Sequence, residues 1–127
     1  MRTDTAQPIR LQDYRPPEWL VDKVSLDVSL HPTNARVKAT LSLRPSPASA
    51  AAPLVLDGDG LSLVSLKLDG APVPDGSFVA TPDGLTIPQP PNRPFLLEIE
   101  TTVDPSANTQ LSGLYRSRGT YCTQCEA

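Results

Sequence analysis

The residues of this 127-residue chain best suited to chemistry gather in its last segment, "YCTQCEA", Tyr121 to Ala127. Cys122 and Cys125 form a C-x-x-C pair, and Gln124 and Glu126 interleave with them. A structural zinc site needs four ligands. Two thiols and the single histidine, His31, which is distant in sequence, do not supply them. A thioredoxin-type pair needs its first cysteine at a helix N-terminus inside a βαβ unit, and nothing helical surrounds this one. The plain reading is two small thiols packing beside a strand. With a strand's period of two, Gln124 and Glu126 project to one face, opposite Cys125.

The other candidates are weaker still. His31 lies in "HPTN" and reads as a solvent-facing turn residue. One histidine excludes H-E-x-x-H, and a Ser-His-Asp triad would have to be built around a turn. Glu98 and Glu100 alternate outward on a strand-like segment and read as solvated rather than as a glycosidase pair. No glycine-rich phosphate loop occurs. The chain therefore holds no complete catalytic constellation and no metal-ligand set of its own.

The elements that must carry these groups are β-strands. In "KVSLDVSL" Val24, Leu26, Val28 and Leu30 share one face, and in "ARVKATLSL" Val37, Ala39, Leu41 and Leu43 do the same. Turn chemistry at "HPTN" joins the two as an antiparallel hairpin. Short strands follow at 54–56 and 85–87, and a good one, "FLLEIETTV", at 95–103, with Phe95, Leu97, Ile99, Thr101 and Val103 inward. "LSLVSLKLDG" alternates with a phase slip: Leu61 and Leu63 on one face, Val64, Leu66 and Leu68 on the other. A β-bulge or a crossing between sheets would absorb it. Asp-Gly pairs recur at 57–58, 59–60, 69–70, 75–76 and 83–84, each marking a tight turn. Proline supplies 15 residues of 127, over twice the usual share of about 5%. It gathers between segments and nearly excludes long helices. From Asp104 the chain turns polar and reads as loop, short turn and at most one late strand. The expected fold is all-β, an antiparallel sandwich.

Composition narrows the partners. Apolar residues make up 39% and charged residues 20%, with net charge −3 and scattered basic side chains. That argues against nucleic acid. No window approaches the ~18 consecutive apolar residues of a membrane span, so no membrane partner is expected. The opening "MRTDTAQPIR" lacks a signal peptide's apolar segment. The expected compartment is the cytoplasm, where thiols stay reduced, and two cysteines are too few for a disulfide scaffold. On residues alone, a free-standing sandwich module binding a sugar or a protein, and a metal or redox role for "CTQC", both stay open.

A resemblance goes further. "NTQLSGLYRSRGTYCTQCEA", with "DYRPPEWLVDKVSLDVSL" upstream and "LVLDGDGLSLVSLKLDG" between them, resembles the N-terminal domain of the aminopeptidase N family, zinc-dependent alanyl aminopeptidases of the gluzincin class. The resemblance spans nearly the whole chain. It implies a saddle-like β domain over residues 1–127, an excised piece that need not hold the entire domain. It also implies a thermolysin-like catalytic domain outside this chain, carrying G-A-M-E-N, H-E-x-x-H and the zinc. There zinc would activate water and polarise the scissile carbonyl, with a glutamate as general base.

Residue by residue, the resemblance makes Gln124 and Glu126 substrate-binding positions and leaves Cys122 and Cys125 without a catalytic role. The chemistry suits their types. A peptide's α-amino group has a pKa of roughly 7.7–8.0, so much of it is cationic near neutrality. A carboxylate at Glu126 offers it charge-assisted hydrogen bonds, and losing that partner in an occluded cleft costs about 2–5 kcal/mol. Gln124 both donates and accepts, and would line the pocket for the first substrate residue. The implied partners are a peptide N-terminus and the protein's own catalytic domain. An uncovered strand edge in the fragment would invite pairing between copies.

Overall fold

Two long alternating segments open the fold and pair as expected. The computed structural model describes residues 8–47 and 52–125. Strand β1, Trp19–Ser29, runs antiparallel to β2, Ala35–Pro45, with Leu26 opposite Ala39 and Val28 opposite Val37. In the turn between them, His31 Nδ1 accepts the backbone N–H groups of Thr33 at 3.2 Å and Asn34 at 3.1 Å. A neutral imidazole accepting at Nδ1 carries its proton on Nε2. His31 is an exposed turn residue.

Six strands follow: β3 (Leu54–Asp57), β4 (Ser62–Leu68), β5 (Ala71–Pro72), β6 (Val79–Thr81), β7 (Gly84–Ile87) and β8 (Phe95–Val103). After a 3-10 turn, Pro105–Ala107, come β9 (Gly113–Ser117) and β10 (Thr120–Gln124). The large sheet has the order β1-β2-β8-β4-β5, the small one β3-β7-β6, and β9 with β10 forms a separate hairpin. All these pairings are antiparallel.

The core lies where the two sheets meet. Leu54 of β3 and Leu85 and Ile87 of β7 pack with Leu43 of β2, Leu66 of β4, and Phe95 and Leu97 of β8. Each such side chain contributes about 1.5–3 kcal/mol by leaving water. Trp19 anchors the first strand to this core. Its ring meets Phe95 edge-on at 5.5 Å between centroids, and its indole N–H donates to the Ala52 carbonyl at 3.2 Å. The arrangement is the all-β antiparallel sandwich expected, and it is not closed into a barrel.

Two details refine the alternation. The phase slip in β4 is a bulge: Leu63 faces Thr101 of β8 and Ser65 faces Glu100, leaving Val64 unpaired. Leu63 therefore joins Leu66 and Leu68 against the core, while Val64 is exposed. The sequence reading places Val64 on the face of Leu66 and Leu68 and Leu63 on the other; the bulge exchanges Val64 and Leu63. The second detail concerns β1. Register places Val24, Leu41, Leu97 and Leu68 in one row across the sheet. Leu97 is fully buried, yet Val24 is 52% exposed and Leu26 63%. Facing neighbours on the second layer, not alternation, decide burial here. Between the layers runs an apolar groove of about 310 Å³, bordered by Val37, Leu41, Leu61 and Leu85.

The opposite face is charged. Asp27, Lys38 and Glu100 form one cross-strand row, and Thr40, Glu98 and Lys67 another. Opposite charges across neighbouring strands add a few tenths of a kcal/mol each, and Arg36 pairs with Glu100 at 3.3 Å. Glu98 and Glu100 thus belong to a surface ladder, as their outward alternation implied. At the β4–β5 turn, Asp69 and Gly70 take positive φ of 49° and 83°, the pattern of a tight two-residue hairpin turn. The Leu96 N–H, then the Arg93 guanidinium, hold the Asp69 carboxyl below its ordinary range. No helix among the described residues is long and apolar enough to cross a membrane.

Candidate functional site

The segment carrying the candidate residues is a hairpin, where the sequence reading expected mostly loop. "GLYRS" and "TYCTQ" pair from Ser117 opposite Thr120 to Gly113 opposite Gln124. Arg118 and Gly119 join them with φ of 50° and 83°, both in the left-handed region a two-residue turn of this kind needs. Glycine adopts that conformation without a Cβ penalty. The available signal was an Arg-Gly dipeptide between two short alternating runs, weaker than Asn-Gly or Asp-Gly. Arg116 and Tyr121 face each other across the strands, the guanidinium 5.6 Å from the ring centroid. An exposed cation–π pair of this kind is worth about 0.5–1 kcal/mol.

Gln124 is the last residue of β10 and is exposed. Glu126 lies outside the described residues. Cys122 is half-buried within β10, its Sγ 3.7 Å from the Thr120 carbonyl oxygen, and Cys125 is exposed beyond the strand's end. Both thiols are free. Among the described residues no three His, Cys, Asp or Glu side chains cluster as a metal site would require. The described residues thus bring together no ligand set for a zinc ion.

What fixes the hairpin to the sandwich is a short polar relay. Asp104, just after β8, accepts the N–H groups of Ser106 and Ala107 at 3.0 and 3.1 Å and so caps the 3-10 turn. Pro105 within it is buried. Ser106 donates its hydroxyl to the Pro32 carbonyl at 2.6 Å, tying the turn to the β1–β2 loop. Asn108 follows, half-buried. Its Nδ2 donates to the carbonyls of Ser112 at 2.6 Å and Leu114 at 2.9 Å, and its Oδ1 accepts from the Gln110 N–H at 3.2 Å. The loop it spans holds Leu111 at φ 58° and Gly113 at φ 74°. A leucine in the left-handed region is strained, so the loop's shape is imposed by its ties. An open cleft of about 440 Å³ lies between this loop, the "DGDG" turn and the end of β8.

No protein-family model matches the chain. Among curated proteins it is similar to aminopeptidase N of Caulobacter vibrioides, 46% identical over 127 residues, which is all of this chain and 14% of that protein. Aminopeptidase N of Escherichia coli is 36% identical over 115 residues, covering 91% of this chain and 13% of that protein. The chain thus spans about one-seventh of the length of the relatives it matches. Among solved structures, a Legionella pneumophila aminopeptidase A in complex with aspartic acid superposes with a TM-score of 0.80 at 30% identity, over 94% of this chain and 14% of that one. An M1 zinc metallopeptidase from Deinococcus radiodurans gives 0.61 at 18% identity, over 80% of this chain and 25% of that one, a likeness of fold.

Proposed function

We propose, from the premise that this chain matches the N-terminal domain of aminopeptidase N along its whole length, that residues 1–127 are a non-catalytic β domain of a longer cytoplasmic zinc aminopeptidase. In this reading the domain holds the free end of a peptide while another part of the same polypeptide cleaves the first residue. Glu126 binds the substrate's α-ammonium, and Gln124, two positions earlier, contacts the first side chain. Pinning the charged terminus determines which peptide carbonyl is presented for cleavage, which is what makes an exopeptidase. Zinc, bound elsewhere in the longer polypeptide, would supply the activated water. The open apolar face of β1 would meet further parts of that polypeptide.

The observation that supports the reading best is the likeness of this whole chain to one-seventh of aminopeptidase N, with Gln124 exposed at the tethered end of the hairpin, opposite Gly113. The test is Glu126→Ala in the full-length enzyme. Peptide turnover, as kcat/KM, is expected to fall by at least about thirtyfold, the equivalent of about 2 kcal/mol for a buried charge partner. Zinc content measured on the same preparation should stay at the wild-type level. Unchanged kinetics would remove the role given to Glu126.

A further inference from the structure

We infer that Asn108 is a positioning residue for Gln124, acting through the first residues of β9. The inference rests on the reading of Gln124 given above.

The geometry is local and complete. Asn108 places both N–H bonds of its carboxamide on the carbonyls of Ser112 and Leu114, the residues on either side of Gly113. Gly113 is the strand partner of Gln124. A Cβ built on Gly113 would stand 4.0 Å from Asn108 Nδ2, so the amide lies directly against that backbone. The third hydrogen bond, from the Gln110 N–H, closes the loop onto the same side chain. A carboxamide offers two donors and an acceptor in one rigid plane, and here one plane fixes three backbone points.

The hairpin forms its own two-stranded sheet, and an isolated hairpin is marginally stable in water. Its position relative to the sandwich therefore depends on what leads into it. From the buried Pro105 the chain passes through the capped 3-10 turn to Asn108, and from Asn108 to the start of β9. Leu111, held at φ 58° between them, relaxes once the clamp opens. Loss of the clamp should leave Gln124 on its strand but free the strand end to wander. A shift of about an ångström at a substrate-positioning group is enough to weaken binding strongly.

The experiment is kinetic, in the full-length enzyme with L-alanine p-nitroanilide. Asn108→Asp keeps the side chain's size and its acceptor oxygen while removing both donors. It is expected to raise KM about tenfold with kcat within about twofold, the pattern of lost binding rather than lost chemistry. Asn108→Ser, with one donor, should fall between it and wild type. Gln124→Ala should raise KM by a similar factor, and the double variant Asn108→Asp/Gln124→Ala should be no worse than Gln124→Ala alone, because the two act on one contact. If Gln124→Ala raises KM and Asn108→Asp does not, or if their effects multiply in the double variant, the inference is overturned. Loss of folding in both Asn108 variants makes the residue purely structural and overturns it as well. A silent Gln124→Ala is a different result: it removes the functional reading on which the inference stands.

Discussion

Val24 and Leu97 sit in the same cross-strand row and point to the same side of the large sheet, each within an alternating strand. One is 52% exposed and the other fully buried. The difference is the second layer. The small sheet β3-β7-β6 lies over β4, β8 and the β2 end near Leu43, where Trp19 at the start of β1 also packs, and it leaves Val21, Val24, Leu26 and Val28 further along β1 uncovered. Alternation therefore identifies which side of a strand is apolar; the extent of the facing layer determines whether that side is dry. Reading a hydrophobic face as core requires knowing what covers it.

Substitutions along and around this row can break the comparison. The largest effect belongs to Leu97→Ala, which should cost about 2–5 kcal/mol, the range for emptying a buried leucine site, measured by urea unfolding of the 127-residue chain. A loss under about 1 kcal/mol would mean the site collapses and the covered half is not tightly packed. Trp19→Phe keeps an aromatic edge for Phe95 and removes the indole donor to Ala52. About 1 kcal/mol is expected, the net worth of one partly buried hydrogen bond.

A smaller effect, confined by pH, is expected at Asp69. Its carboxyl is held below the ordinary range in the folded chain. A depressed folded pKa gives a contribution present above the unfolded value and lost as pH falls through the folded one. Wild type should thus be more stable than Asp69→Asn at neutral pH, with the gap closing in acid below the ordinary carboxylate range. A gap independent of pH would mean the ionised carboxylate is irrelevant. The smallest change is Val24→Ser, within about 0.5 kcal/mol in the 127-residue chain. The same substitution in the full-length protein sharpens the contrast: a clearly larger cost there would place further polypeptide on this face.

What was legible follows the same physics. β2, β8 and the body of β1 were legible because long period-two runs have no competing explanation, and the Asp-Gly turn at 69–70 because left-handed backbone is scarce outside such residues; the start of β1, Trp19 to Asp22, was not, since the register shift beside Asp22 breaks the alternation there. Trp19, the single tryptophan, follows "RPPE", and a large apolar ring placed beside prolines at the start of a strand is a natural anchor to the core. The β9–β10 hairpin was not legible, since its strands are short and its turn uses Arg118, an uncommon residue at positive φ. Nor was the role of Asn108. A clamp made of one amide and three backbone groups follows no period and only exists once the loop is folded. Gln124 could be singled out because a resemblance pointed to it; nothing in its own neighbourhood distinguishes it from any exposed strand-end glutamine.

The bulge in β4 has an implication for length variation. Without Val64 the strand would read Ser62, Leu63, Ser65, Leu66, Lys67, Leu68, a flawless polar–apolar sequence whose leucines already share a side. Val64 is thus a single supernumerary residue looped out of an otherwise regular ladder. Related domains could lose or gain a residue at this point and leave every neighbouring side chain facing as it does now. The same change anywhere else in the strand would turn part of it inside out.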